Sequence, residues 1–142
     1  MDVTYRTTTA EETYRIGYTM AREAGPQDVV ALIGDLGVGK TVFAKGFADG
    51  LGITSPITSP TFTIVCEYEE GRLPLYHFDV YRICDYEELF EIGFEEYLYG
   101  NGVCLVEWAD KFLDELPEQT TVVTISKCPD MHPDVREITV RK

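Results

Sequence analysis

The chain has 142 residues, 44% of them hydrophobic and 26% charged, which is the size and composition of one globular domain spanning residues 1–142. Its 25 acidic and 12 basic side chains give a formal net charge of −13, which speaks against direct binding to a nucleic-acid backbone, because such binding depends on Lys and Arg. No apolar run reaches the ~18 residues that span a bilayer, and the N-terminus lacks the basic and apolar segments of a secretory signal, so we expect a cytoplasmic protein with no membrane partner.

The first predicted element is a helix that begins after Thr9, since Thr9 and Glu12 form a T-x-x-E capping box ahead of an apolar stripe that ends at Gly25. Residues 28–34 form a short apolar run that ends in glycine, which predicts a buried strand. From Lys40 onwards the apolar positions recur with helical spacing, which predicts a second helix. A glycine-rich stretch therefore joins a strand to a helix.

The rest of the chain alternates less regularly and contains hairpin-like segments. The predicted elements are a hairpin of strands 62–68 and 75–79, a capped helix at 85–99, and a buried strand at 102–107. A short helix at 109–116 and two late strands at 121–125 and 137–140 follow. Strands and helices alternate in the first half, whereas the second half is richer in strands. Such an order favours an α/β protein with a mixed sheet.

The stretch GDLGVGKT, residues 34–41, matches the pattern G-x-x-x-x-G-K-[ST] of a phosphate-binding loop, or Walker A motif. To surround a phosphate, such a loop turns successive backbone N–H groups inward, which requires positive φ angles and few side chains. Gly34, Gly37 and Gly39 are expected to supply both properties. The motif and the element order together predict a three-layer, P-loop NTPase-like α/β fold with a mixed central sheet.

The start of the second helix completes the predicted phosphate site. Main-chain amides from Val38 to Val42, together with the helix dipole, offer hydrogen bonds and positive charge to an anion. Lys40 is expected to reach the β and γ phosphates, and the Thr41 hydroxyl is placed to bind Mg²⁺. The sequence therefore predicts that a nucleotide and Mg²⁺ bind here.

Two acids close predicted strands and are candidates for the carboxylate that Mg²⁺ needs beside such a loop. Asp79 ends the run LPLYHFD, and Glu107 ends the run GVCLVE. Either is able to contact Mg²⁺ directly or through water, or to orient the attacking water, and the residues alone leave these alternatives open. A single acid at a strand end is usually a solvated cap, but two of them in a chain with a phosphate loop favour a site.

Several neighbouring residues have both a structural and a functional interpretation. His77 alternates with Asp79 on one strand face, and it belongs either to the core or to the site. Arg82 pairs with Asp79 or reaches phosphate, and Trp108, the only tryptophan, packs in the core or stacks near the nucleotide. The segment 55–61 is an ordinary proline-rich turn or a loop that senses the γ phosphate.

The four cysteines lie 18 to 24 residues apart, and no C-x-x-C pair occurs. Neither a zinc site nor a redox dithiol is therefore expected. Three of the four lie in apolar or strand-like surroundings, where we expect small, buried, reduced side chains, as in a protein of the cytosol.

Four blocks, GDLGVGKT, SPTF (59–62), YHFDVYR (76–82) and VEWAD (106–110), occur in an order and at a spacing that resemble the TsaE family. Members of this family are small P-loop ATPases of bacterial tRNA threonylcarbamoyladenosine synthesis. The resemblance extends from about residue 12 to residue 140. The YHFDVYR and VEWAD blocks are more specific than the phosphate loop, which many families share.

The resemblance implies a weak Mg²⁺-dependent ATPase that binds ATP. The family's functional residues fall on Lys40 and Thr41 of the loop, on Asp79 and Glu107 as magnesium carboxylates, on Thr61 of SPTF, and on Trp108. Glu107 is the one most closely tied to hydrolysis. The chain departs from the family at Val42, where a small hydroxyl residue is usual, so we expect slightly weaker nucleotide affinity. Adenine contacts around Thr9, Thr13 and residues 134–136 match too loosely to be assigned.

The resemblance also implies protein partners, the TsaD- and TsaB-like subunits, which place a threonylcarbamoyl group on the adenosine beside the anticodon of tRNAs that read ANN codons. ATP hydrolysis would reset that complex between turnovers. The chain would meet tRNA only through the complex, which fits its net charge of −13. Two alternatives stay open, a small P-loop kinase and an ATP-sensing scaffold without essential hydrolysis.

Overall fold

A computed structural model describes residues 2–35, 37–58, 60 and 63–142. The strands, in chain order, are β1 (Asp2–Thr7), β2 (Val29–Ile33), β3 (Val65–Tyr68), β4 (Leu75–Asp79), β5 (Val103–Glu107), β6 (Thr121–Lys127) and β7 (Arg136–Arg141). The helices are α1 (Ala10–Glu23), α2 (Lys40–Gly50), α3 (Tyr86–Glu91) and α4 (Phe94–Leu98), with a 3₁₀ helix at Ala109–Glu115. None of the helices in these ranges is long and apolar enough to cross a membrane.

The seven strands form one mixed sheet in the order β1-β7-β6-β2-β5-β4-β3. Strands β6, β2, β5 and β4 run parallel to their neighbours in that order, whereas β1, β7 and β6 pair antiparallel at one edge and β3 pairs antiparallel with β4 at the other. The loop-bearing strand β2 therefore lies between β6 and β5. The carboxyl ends of β2, β5 and β4 meet at the same edge of the sheet.

Helices cover both faces of the sheet, which confirms the predicted three-layer mixed α/β fold. Alternate residues of β2 divide between two cores: Val30 and Leu32 pack with α1 and α2, whereas Val29 and Ala31 pack with α3, α4 and the 3₁₀ helix. The central parallel strands β2 and β5 are nearly continuous apolar runs because both of their faces are covered. That residues 1–142 form a single domain stays a prediction.

The first helix begins where its capping signal predicts. The Thr9 hydroxyl accepts a hydrogen bond from the backbone N–H of Glu12, at 3.2 Å. The Glu12 carboxylate, however, accepts from the backbone N–H and the hydroxyl of Thr8, at 2.9 and 2.7 Å. The reciprocal half of the cap is thus shifted by one residue.

Two predictions of secondary structure were wrong. A single helix over residues 85–99 was expected, but Gly93 adopts φ 85° and separates α3 from α4. Strand β1 was not predicted, because this edge strand is short, has five exposed residues of six, and contains only two apolar residues, Val3 and Tyr5. The predicted strand 62–68 begins at Val65, and its first position, Phe62, lies outside the described residues.

The cysteines are all free, as expected, but they are not all buried. Cys104 is buried, Cys66 and Cys128 are half-buried, and Cys84 is exposed. Burial raises the pKa of the Cys104 thiol to about 12. The expectation of small, buried side chains therefore holds fully for Cys104 alone of the four cysteines.

Candidate functional site

The glycine-rich loop connects the end of β2 to the start of α2. Gly37 has φ 77°, and Gly39 has φ 110° at the N-cap position of α2, where no side chain caps the helix. The first N–H groups of α2 therefore lack the side-chain acceptor that an ordinary N-cap provides. An uncapped helix N-terminus that follows left-handed glycines presents donors and a positive dipole to an anion.

Gly34 serves a different purpose from the one predicted. Its φ is not in the left-handed range, so it does not contribute a positive φ to the loop. A Cβ at this position would lie 2.7 Å from the Ile125 carbonyl oxygen and 2.8 Å from Val38 Cγ2. A glycine is needed here because the loop passes close to β6. The prediction that all three loop glycines have positive φ is therefore wrong for Gly34.

The loop is braced from the opposite side by the start of β7. The Arg136 Nε–H donates to the Val38 carbonyl at 3.0 Å, and the same guanidinium donates to the carbonyls of Pro133 and Val135 at 2.5 and 3.0 Å. The Val38 side chain is buried. This contact joins residues 98 apart, and the sequence carried no signal for it.

The two strand-end acids lie side by side next to the loop-bearing strand. Asp79 and Glu107 are the last residues of β4 and β5, they are register partners, and each is 6% exposed. Glu107 is also opposite Leu32 of β2. The Asp79 carboxylate accepts a hydrogen bond from the Tyr81 backbone N–H at 2.9 Å. Two carboxylates are thus held at the sheet edge where α2 begins.

Lys40 is the least satisfied charged residue of this region. It is 6% exposed, and its ammonium has no hydrogen-bond partner in the described part of the chain. Burial lowers the pKa of Lys40, although the carboxylates of Glu107 and Asp79 act in the opposite direction. A buried cation without a hydrogen bond is costly. An anionic ligand at the loop would supply the missing acceptors.

The ammonium of Lys40 lies over the Trp108 indole, 3.3 Å from the ring centroid. Trp108 directly follows β5 with φ 62°, and its backbone N–H donates to the Leu32 carbonyl at 3.2 Å. Its ring centroid is 4.8 Å from that of the Tyr81 ring. The half-buried indole therefore packs against core strands and also contacts the site. Core packing, one of the two interpretations of Trp108, describes part of its environment, and its contact with Lys40 places it beside the loop at which a nucleotide is expected.

His77 also belongs to the site rather than to the apolar core alone. It is 1% exposed, and its Nε2 lies 2.5 Å from Glu107 Oε2. Its Nδ1 is buried and has no partner within the described residues. The alternation of His77 with Asp79 in the sequence was the signal, but only the strand register shows that Glu107 is the partner.

The other predicted site residues have less defined settings. Thr41 is exposed and Val42 is half-buried in the first turn of α2. Arg82 is exposed. Thr61 lies outside the described residues, as do Leu36, Ser59 and Phe62. The roles of these side chains stay predictions.

Open space flanks the loop on both sides. One cavity of ≈ 440 Å³ is lined by Thr9, Thr13, Gly37, Val42, Asp134 and Arg136, among others. A second, of ≈ 470 Å³, is lined on the other side by Asp35, Trp108, Asp110, Ser126 and Lys127, among others. The first cavity is lined both by Thr9 and Thr13 and by residues of the segment 134–136, which are the two regions that match the family's adenine contacts only loosely.

A mixed α/β sheet whose parallel strands end beside an uncapped, glycine-rich strand–helix loop defines a protein of the P-loop NTPase-like class. The chain belongs to the TsaE family, because the model of that family, described as threonylcarbamoyl adenosine biosynthesis protein TsaE, matches residues 7–137. The resemblance seen in the sequence blocks is thereby confirmed.

Individual relatives are similar over most of their length. The tRNA threonylcarbamoyladenosine biosynthesis protein TsaE of Bacillus subtilis (strain 168) is 52% identical over 135 residues, which cover 95% of this chain and 82% of that protein. The protein of the same name from Treponema pallidum (strain Nichols) is 47% identical over 131 residues, covering 92% and 94%. The crystal structure of Bacillus subtilis YdiB has a TM-score of 0.84 and 46% identity, covering 99% of this chain and 84% of that one.

Proposed function

We propose that this chain is the ATP-binding and ATP-hydrolysing subunit of a system that makes threonylcarbamoyladenosine in tRNA. Its family membership supports the pathway. The observation that carries the ATPase proposal is the buried ammonium of Lys40, which has no hydrogen-bond partner among the described residues, at an uncapped helix N-terminus beside two carboxylates at the ends of neighbouring strands. Those features match what a triphosphate and its hydrolysis require.

The triphosphate is proposed to lie on the loop 34–42. Backbone N–H groups of this loop and of the first turn of α2 donate to its oxygens. Lys40 leaves its contact with Trp108 and neutralises charge on the β and γ phosphates. The phosphate oxygens thus give the Lys40 ammonium the acceptors that it lacks among the described residues.

The donor set suits Mg²⁺. Asp79 and Glu107 offer carboxylate oxygens, and Thr41 offers a hydroxyl in the first turn of α2. No group of three or more His, Cys, Asp or Glu side chains suited to a metal occurs in the described ranges, and Mg²⁺ is commonly held by one or two carboxylates together with phosphates and water. When bound, Mg²⁺ would offset the negative charge of the phosphate oxygens.

Glu107 is proposed to orient the attacking water. It lies on β5, directly beside β2, and its carboxylate is largely shielded from solvent. A shielded carboxylate with a fixed orientation is able to hold a water molecule in line with the γ phosphate. Asp79, one strand further from the loop, is proposed to serve the metal, directly or through water.

The base is proposed to occupy the cavity of ≈ 440 Å³ beside Thr9, Thr13 and Asp134. This volume is within the range of small-molecule sites. Thr61 and Trp108 are proposed to contact the nucleotide. Val42 contributes only its backbone N–H.

TsaD- and TsaB-like subunits are proposed as partners, with ATP hydrolysis releasing the 55–61 loop and resetting their complex. The net charge of −13 supports indirect contact with tRNA, since a polyanion is repelled by an acidic surface.

The test combines the purified chain, the two partner proteins and unmodified tRNA. Wild-type protein is expected to release phosphate from ATP in the presence of Mg²⁺ and to support modification. Glu107→Gln is expected to lose both activities while still binding ATP, whereas Glu91→Gln, on the exposed face of α3, keeps both.

Two results would contradict the proposal. Transfer of the γ phosphate to an acceptor other than water would indicate a kinase. Modification that continues at the wild-type rate with Glu107→Gln would indicate a scaffold whose hydrolysis is not essential.

A further inference from the structure

We propose that His77 is a positioning residue of this site, which fixes the Glu107 carboxylate by donating a hydrogen bond from Nε2 to Oε2. The proposal rests on the proposed function insofar as it concerns hydrolysis. The hydrogen bond itself is a property of the nucleotide-free chain and is tested separately.

The strand register makes this contact possible. His77 of β4 lies opposite Leu105 of β5, and Asp79 lies opposite Glu107. Glu107 is therefore the diagonal neighbour of His77, a distance that long side chains on one face of a sheet are able to bridge. His77, Asp79 and Glu107 lie on the sheet face that is covered by α1 and α2. Leu75 and Leu105, two residues before His77 and Glu107 and therefore on the same face, pack in that core.

Glu107 depends on this single side-chain donor. With 6% exposure its carboxylate has little access to water, and no second hydrogen-bond donor to it occurs among the described residues. A shielded carboxylate needs a donor to offset its desolvation. The bond to His77 is to Oε2, and no donor to Oε1 occurs among the described residues, so Oε1 is the oxygen we assign to water or metal.

The chemistry of the two partners assigns the proton. A carboxylate oxygen accepts, so the Nε2 atom at 2.5 Å carries the hydrogen. Nδ1 is buried and has no partner in the part of the chain that the structure describes. A neutral ring with its proton on Nε2 leaves only an acceptor unsatisfied, whereas a proton on Nδ1 would add an unsatisfied buried donor.

A purely structural histidine predicts a different outcome from a positioning one. Leucine has a similar bulk and would fill an apolar position between β3 and β5, so a structural role is served by His77→Leu. The positioning role is not served, because leucine cannot donate to Glu107. Glutamine is able to place an amide N–H near the position of Nε2, so His77→Gln tests the donor alone.

The kinetic experiment compares ATP hydrolysis, nucleotide affinity and thermal unfolding. His77→Leu is expected to lower kcat by about 10- to 100-fold, the usual cost of losing a residue that orients a site ligand, while the Kd for ADP stays close to the wild-type value. His77→Gln is expected to recover most of the loss. His132→Leu is the matched control, because the His132 side chain is 72% exposed, and it should leave kcat unchanged.

A second readout does not depend on activity. In ¹⁵N NMR spectra of the nucleotide-free protein, His77 is expected to show the neutral Nε2–H tautomer with a proton protected from exchange. Glu107→Gln should shift that signal, and Glu91→Gln should not. This measurement uses wild-type protein, so it remains decisive if His77→Leu fails to fold.

The outcomes separate the two proposals. A folded His77→Leu protein that hydrolyses ATP at the wild-type rate would overturn the positioning role and leave the ATPase intact. A wild-type protein that binds ATP without hydrolysing it would overturn the proposed ATPase, and the NMR signal of His77 would then decide the contact with Glu107. A His77 ring protonated on Nδ1 alone would overturn the hydrogen bond.

Discussion

The carboxyl edge of the parallel strands and the α3–α4 segment both contain acids, but in opposite settings. Residues 85–99 carry six acidic side chains, all exposed, and no basic one. The strand ends carry only Asp79 and Glu107, each 6% exposed and each with a defined hydrogen bond. The six exposed acids are part of the 25 that produce the net charge of −13, whereas the two shielded acids are the ones that we propose to serve the metal and the attacking water. Position in the sheet, rather than acid content, therefore identifies the site.

The same contrast holds for lysine, histidine and cysteine, since each residue type has a shielded copy and an exposed one. Matched substitutions of such pairs test whether shielding at the strand ends marks function.

The largest difference is expected for lysine. Lys40→Ala should lower ATP hydrolysis by about 10²-fold or more, as does the loss of one preorganised charge-stabilising group, whereas Lys45→Ala, on the exposed side of the same helix, should change it little. Steady-state phosphate release measures both, and near-normal turnover in Lys40→Ala would remove the basis for the site.

The next largest effect concerns protein stability, because burying the Lys40 ammonium lowers the free energy of unfolding. Lys40→Met should raise the free energy of unfolding of the nucleotide-free protein by about 1 kcal/mol, the low end of the cost of burying a polar group without a hydrogen bond. Urea unfolding compares it with Lys45→Met, which should show no gain. Equal stability of the two variants would mean that the Trp108 ring already offsets the burial of the ammonium.

The same experiment has a pH dependence of known sign. Burial lowers the pKa of Lys40 below 10.5, so the unfolded chain binds this proton more tightly than the folded protein does. The contribution of Lys40 to the free energy of unfolding is least favourable below the lowered pKa, and it rises with pH until 10.5. The difference between wild type and Lys40→Met should therefore shrink as pH increases through that window. A difference that widens would contradict the assignment.

A smaller effect is expected for the brace between β7 and the loop. Arg136→Ala removes the hydrogen bond to the Val38 carbonyl, and nucleotide affinity should fall about fivefold, which corresponds to the ~1 kcal/mol of one hydrogen bond. Arg141→Ala, at the exposed end of the same strand, is the control. Titration with a fluorescent nucleotide measures both. An equal fall in the two variants would indicate a charge effect without a brace.

The smallest effect concerns thiol reactivity. A thiol reagent should modify the exposed Cys84 rapidly and leave Cys104 unmodified until the protein unfolds, because Cys104 is buried and burial raises its pKa to about 12. Mass spectrometry of the labelled peptides identifies the sites, with Cys84→Ser as the control. Equal labelling of both cysteines in the folded state would contradict the buried position of Cys104.

The parts of the structure that were predictable are those with local signals. The strand–loop–helix unit follows from an apolar run, glycines and an amphipathic helix within 28–50, and the strand ends at Asp79 and Glu107 follow from two apolar runs. Strand β1 has only a weak signal, because its alternation is limited to two apolar residues, Val3 and Tyr5, in an exposed edge strand. The break at Gly93 was hidden by helical spacing on both sides of it.

The contacts that define the site could not be predicted, because they depend on register and long-range packing. The bond from His77 to Glu107 joins residues 30 apart and needs the pairing of β4 with β5. The hydrogen bond from Arg136 to Val38 joins residues that are 98 positions apart in the sequence. The unsatisfied ammonium of Lys40 is a feature of packing alone, and no pattern of residue types reveals it.

The pairing of Asp79 with Glu107 also determines where the gene tolerates a change of length. Adding or deleting one residue within β4 would rotate every later side chain of that strand to the opposite face. Asp79 would then point into the α3–α4 layer, even though the backbone ladder with β5 could re-form. An insertion in the β3–β4 turn, at residues 69–74, would leave that alternation intact. A one-residue insertion within β4 should therefore remove Asp79 from Glu107, whereas an insertion in the turn keeps this pair together provided that Arg72 retains its hydrogen bonds to the carbonyls of Leu51, Ala21 and Ala24.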